Sequence, residues 1–210
     1  MGAIQTKIFL KALLALVVFE TAAILTAKVR GSFPIEHLGL LRIVESIVLI
    51  LIVRLQKEGL GIIGLDSRRL ISGFKTGVIW SLIFAVTAAL GFLILFFFKL
   101  NPFNSIRVPL PQTPRDLMIF FLVGGVIAPI SEEIFFRGIL FSYLSKWGLL
   151  KAVIISTLIF VFFHPQAGLT QAVGGVVFAL SYYFGHSLLA PIIIHSLGNL
   201  ALFSISLLTF

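Results

Sequence analysis

The sequence contains no cysteine. Disulfides, thiolate metal sites and cysteine nucleophiles are excluded together. Charge is scarce as well. Asp, Glu, Lys and Arg make up 11% of the 210 residues, under half of the roughly 25% carried by a soluble domain. There are only two aspartates, Asp66 and Asp116, both at loop edges, so a pair of intramembrane aspartates is excluded. No H-E-x-x-H occurs, which removes the signature of helical zinc proteases. Neither Ser131 nor Ser196 lies in G-x-S-x-G, the turn that exposes a serine nucleophile. No internal repeat and no low-complexity tail is present.

What fills the space is apolar. Hydrophobic residues make up 59% of the chain and the mean hydropathy is +1.14. Apolar runs of this length describe an integral membrane protein. A spanning helix needs about 20 residues, because 1.5 Å per residue must cover about 30 Å of hydrocarbon. Seven stretches qualify, at 8–27, 38–55, 73–98, 116–144, 150–165, 169–186 and 189–209. Lipid leaves no partner for free backbone groups, so all are expected to be helices. The expected fold is an all-α, polytopic membrane bundle of seven or eight transmembrane helices. The N-terminal stretch "MGAIQTKIFLKALLALVVFETAAILTA" reads as an uncleaved first span rather than a signal peptide.

The length suits a single membrane domain over 1–210. The segment "KLNPFNSIRVPLPQTPRD" holds four prolines and divides a three-helix part, 1–100, from a four-helix core, 113–208. Thr113, Pro114 and Asp116 form a helix start, with proline and an acid in the first turn. The net charge is +8, but the basic residues lie mostly between apolar runs. Topology and anionic lipid head groups account for them, and nucleic acid is not an expected partner. With the N-terminus inside, Lys7, Lys11, Arg54, Lys57, Arg68, Arg69, Lys75, Lys146 and Lys151 are cytoplasmic, and Lys28, Arg30, Lys99, Arg107 and Arg115 are outside. Nine against five favours a cytoplasmic N-terminus.

Ionisable residues inside spans mark functional sites by default. The first part has Glu20, Arg42 and Glu45. Arg42 and Glu45 are i,i+3 and read as a structural pair; Glu20 reads as a buried polar residue on the helix of a snorkelling Lys11. The core has Glu132, Glu133, Arg137, His164, His195 and Asn199. Glu133 and Arg137 are i,i+4 and can pair, whereas Glu132 is turned roughly 100° from Glu133. One helix therefore offers a neutralised pair and a second carboxylate aimed elsewhere. Pro129, just upstream, lacks an N–H and opens the helix near that carboxylate. Pro165 interrupts bonding after His164 in the same way. His195 and Asn199 share a face of the last helix, and small residues at Gly168, Gly174, Gly175 and Ala179 would let helices approach closely.

A carboxylate, two imidazoles and an amide around one cavity suit water activation. Glu132, with His164, would take a proton from water. His195 and Asn199 would donate to the oxyanion, each worth about 10²–10³ in rate. The spacing leaves a metal-assisted variant open.

Three motifs stand in order: "EEIFFR" (132–137), "FVFFH" (160–164) and "HSLGN" (195–199). Together they resemble the CPBP family of intramembrane proteases, also called Abi or type II CaaX prenyl endopeptidase-like proteins, over about 113 to 205. The resemblance implies a glutamate-dependent, metal-independent and cofactor-free endopeptidase. Glu132 and His164 would activate water, His195 and Asn199 would form the oxyanion site, and Glu133 and Arg137 would support the helix or substrate. The expected substrate is a membrane-associated or lipid-modified peptide or protein, and the expected location is a prokaryotic inner membrane. The competing reading is a non-catalytic immunity or scaffold protein on the same fold. An ion-coupled transporter is a third, disfavoured by the lack of a two-half inverted repeat.

Overall fold

The structure is a computed structural model and describes residues 4–30, 34–56, 59–164 and 168–209. Lys57 and Pro165 lie outside the described residues. Among those described there is no strand. Seven main helices follow in order: α1 (Thr6–Arg30), α2 (Ile35–Arg54), α3 (Leu70–Phe97), α4 (Pro114–Trp147), α5 (Leu149–Phe162), α6 (Leu169–Gly185) and α7 (Leu189–Thr209). They coincide with the seven expected stretches. Helices α1, α3, α4 and α7 are long and apolar enough to cross a bilayer, α3 within a longer candidate span beginning at Gly59. Helix α2 carries Arg42 and Glu45 in mid-helix, and α5 and α6 are apolar but shorter. The protein is an integral membrane helix bundle.

Helix α4 is the axis. It touches α1, α2, α5, α6 and α7. The first hundred residues divide around it: α1 and α2 pair on one side, while α3 runs along α7 and α6. Close approach depends on missing side chains. A Cβ on Gly175 of α6 would meet Thr157 Cγ2 of α5 at 2.8 Å, and one on Gly39 of α2 would meet Val123 Cγ2 at 2.8 Å.

Local chemistry sets the limits of α4. Thr113 Oγ1 accepts from the Asp116 N–H at 3.1 Å, and Pro114 opens the first turn. At the other end, Lys146 Nζ sits 3.6 Å from the Tyr143 ring centre and 4.3 Å from that of Trp147. That is an aromatic-basic belt of the kind found at a membrane interface. Between these ends α4 is not uniform. Wide π-helical turns run over Val123–Ile127 and Ile134–Phe141, flanking the ordinary α-helical segment Ala128–Glu133. Such turns gather at functional sites, and here they bracket both glutamates.

Candidate active site

The first wide turn has a local cause. In it the Ala128 N–H bonds to the Val123 carbonyl, five residues back. The next bond in that register would run from residue 129 to the Gly124 carbonyl, but Pro129 has no N–H. Asn199 Nδ2 donates to that carbonyl instead, at 2.8 Å. The last helix thus supplies the donor that proline removes. Gly124 and Gly125 make room for this contact, since a Cβ on Gly125 would collide with Leu200.

Glu133 lies on the inner side of the next turn and is fully buried, as is Arg137. Glu133 Oε1 accepts from Arg137 Nη1 at 2.9 Å and from His195 Nδ1 at 2.8 Å. Arg137 Nη2 also donates to the Gly175 carbonyl at 3.2 Å. The guanidinium lies over the rings of Phe160 and Phe178, at 4.4 and 5.1 Å, and Phe178 stacks on His195 at 4.7 Å. A buried ion pair is tolerable only with partners of this quality. The i,i+4 pairing expected for Glu133 and Arg137 is present, and His195 joins it as a third member.

Glu132 points the other way. Its Oε2 lies 3.6 Å from His164 Nε2 and 3.8 Å from His195 Nε2. The tautomers of both rings follow from their other nitrogens. His164 Nδ1 is 2.7 Å from the Phe160 carbonyl, which can only accept, so Nδ1 carries the proton. His195 Nδ1 faces a carboxylate neutralised by Arg137, so it too carries the proton. In the neutral rings both Nε2 atoms are therefore lone pairs, and both face Glu132 Oε2. That oxygen is buried and has no hydrogen-bond donor from the protein. Three acceptors turned toward one another require a proton among them, and a second proton on either imidazole would turn the contact into an ion pair.

Glu132 and His164 line a cavity of about 310 Å³ with Leu16, Glu20, Leu38, Arg42, Glu45, Ser131, Phe135, Phe136 and Phe163. His195 borders Glu132 from behind and Asn199 bonds into the α4 backbone; neither lines the cavity. The N-terminal helices supply the opposite wall. Arg42 Nη1 donates to Glu20 Oε1 at 2.6 Å and to Glu45 Oε2 at 2.7 Å. Ser131, the neighbour of Glu132, donates to the same Glu45 oxygen at 2.9 Å. The partner of Glu20 is thus Arg42 of α2. These charges were visible in the sequence as intramembrane residues, but spacing within one helix carries no sign that α2 faces Glu132.

Helix α5 explains the depth of His164. Its 14 residues rise only about 21 Å at 1.5 Å each, against about 30 Å of hydrocarbon. A helix of that height starting at one surface ends short of the other, with the imidazole just past its end. Among the described residues, no group of three or more His, Cys, Asp or Glu side chains is arranged to hold a metal ion.

No curated protein and no solved structure matches the chain. A family model does. Residues 114–201 match the model described as type II CAAX prenyl endopeptidase Rce1-like. The matched segment runs from the start of α4 into α7 and holds all three motifs. The match supports a protease of the CAAX endopeptidase kind, and over residues 114–201, under half of the chain, the sequence is similar to the family that its motifs resemble.

Proposed function

We propose that the protein is an intramembrane endopeptidase that cleaves a membrane-associated or lipid-modified peptide using water activated by Glu132 and His164. One observation carries this reading: Glu132 and His164 line one cavity, and Glu132 Oε2 lies 3.6 and 3.8 Å from the two imidazole Nε2 atoms with no hydrogen-bond donor to it among the described residues. A water in that cavity gives one proton toward the Glu132 carboxylate and the other toward His164 Nε2. As the water oxygen bonds to the scissile carbonyl carbon, its proton passes to Glu132 and the carbonyl electron pair moves onto oxygen. Collapse of that oxyanion breaks the C–N bond. The proton held by Glu132 or His164 goes to the leaving nitrogen, giving one acid and one amine.

In this scheme His195 backs Glu132 on the side away from the cavity. Glu133 fixes its ring, and its Nε2 donates only when the ring gains a second proton. Asn199 keeps the wide turn of α4 in place. The chemistry needs no metal, because the carboxylate and imidazole serve as the base directly.

The test compares N- and C-terminal peptides from membranes holding wild type, Glu132→Gln or His164→Ala. A new terminus found only with wild type is the expected result, and it is expected to survive exhaustive chelation. Identical termini in all three would favour the scaffold reading, and loss on chelation would turn the two imidazoles and Glu132 into a metal site.

A further inference from the structure

Little holds the proposed base directly. Glu132 Oε2 has no hydrogen-bond donor among the described residues, and its two nearest ring nitrogens lie at 3.6 and 3.8 Å. The place of that carboxylate is therefore set by the backbone that carries it. Its neighbours in sequence anchor that backbone on both sides. Glu133 is buried and bonded to His195 of α7 at 2.8 Å. Ser131 is buried too, and its hydroxyl donates to Glu45 Oε2 of α2 at 2.9 Å.

The Ser131 bond is not the one a helix offers first. A serine within a helix commonly donates to the carbonyl four residues back, as Ser46, Ser81 and Ser204 do at 2.8 Å. Ser131 crosses to another helix instead. Its acceptor is a carboxylate, which takes a stronger hydrogen bond than a neutral carbonyl. Glu45 is itself buried, and a buried carboxylate without partners is costly. Arg42 offsets that cost. Its Nη1 donates to the same Glu45 oxygen at 2.7 Å and to Glu20 Oε1 of α1 at 2.6 Å. An unbroken line of hydrogen bonds thus joins α1, α2 and the residue beside the base.

We propose that Glu45 is a positioning residue: through Ser131 it fixes the backbone of Glu132, and so the distance from that carboxylate to His164. Arg42 steadies Glu45 in turn. Glu45 lines the cavity with Glu132, so a second acid–base group is the competing role. An oxygen that already receives two donors has little left to offer a water, which favours positioning. The assignment rests on the hydrolytic reading above. It gives the first hundred residues a part in catalysis, since Glu45 lies outside the matched segment 114–201.

The experiment uses the full chain in proteoliposomes with a farnesylated CaaX peptide, and reads kcat, KM and the thermal midpoint. Ser131→Ala removes only the hydroxyl. Its kcat is expected to fall about 10–10²-fold, the order that a small misplacement of a reacting group costs, with KM changed less than about threefold. Glu45→Ala is expected to match it, and the double variant to lose no more kcat than either alone. Glu45→Gln keeps an oxygen that accepts from both donors, so it is expected to recover most of what Glu45→Ala loses. Ser206→Ala is the control. It breaks a contact with the Val108 N–H, 3.0 Å long and away from the cavity, and is expected to lower the midpoint with kcat unchanged. Folded Ser131→Ala with wild-type kcat overturns the proposal. So does a double variant whose losses multiply. So does Glu45→Gln as inert as Glu132→Gln, which would make Glu45 an acid–base group. If wild type is as inert as Glu132→Gln, the hydrolytic reading fails, and the Glu45 assignment with it.

Discussion

Two adjacent glutamates have opposite duties, and the residue scale is where they separate. Glu133 is fully buried and bonded to Arg137 and His195. Removing its charge leaves an unpaired guanidinium among Phe160 and Phe178. Breaking a buried pair from one side costs about 3–5 kcal/mol, so Glu133→Gln is expected to lower the thermal midpoint in detergent sharply. Glu132 has no protein donor on Oε2, so Glu132→Gln is expected to melt within a few degrees of wild type while losing activity. Equal midpoints for the two variants would contradict this division. Much of it was legible beforehand: the i,i+4 spacing of Glu133 and Arg137 and the rotation of Glu132 away from them are properties of one helix. That His195 would bond to Glu133, and so present a lone pair to Glu132, was not legible. It depends on where α7 meets α4, and helical spacing does not carry that information.

At the scale of elements, α4 shows how a sequence signal can be read in part. Pro129 announced an opening in the helix. The size of the opening, and who fills it, belong to tertiary structure: a wide turn over Val123–Ile127, closed by the Asn199 amide on the Gly124 carbonyl. The sequence pointed to Asn199 as a polar partner of His195 on one helix face, and oxyanion donation was the natural expectation. The structure puts one N–H of that amide on the α4 backbone. This makes a specific coupling. Asn199→Ala strands the Gly124 carbonyl, at a cost of about 1–3 kcal/mol. Pro129→Ala restores an N–H in the same register. The double variant is therefore expected to be more stable than Asn199→Ala alone, measured by chemical or thermal unfolding in micelles. Strict additivity of the two changes would mean that proline and amide are unrelated.

At the scale of the whole molecule, helix direction sorts the site to one side. Chain direction puts the end of α1, the start of α2, the start of α4 and the end of α5 at the same face, opposite the N-terminus. The cavity, reaching from Arg42 to His164, lies in that half. Because the basic residues are more numerous at the other face, we propose that this half is the outer one. The lack of cysteine makes the test clean. Gln112→Cys is expected to react with an impermeant maleimide added to intact cells, and Lys151→Cys only after permeabilisation. The opposite pattern would invert the assignment. The seven helices were legible from apolar runs, because lipid imposes one rule on every span. The division of the first three around α4 was not, since lipid-facing and bundle-facing apolar residues look alike in sequence.

The shortness of α5 has an effect outside the protein as well. Its outer face, including Leu150, Leu158 and Phe162, is exposed, yet it is only 14 residues tall and its neighbour α6 only 17, against 28 in α3. The rim of the molecule is therefore stepped, lower along α5 and α6 than along α3. Lipids along that step must shorten or tilt their tails to avoid baring hydrocarbon to water. A bilayer thinned there leaves the least hydrocarbon between water and the His164 end of α5.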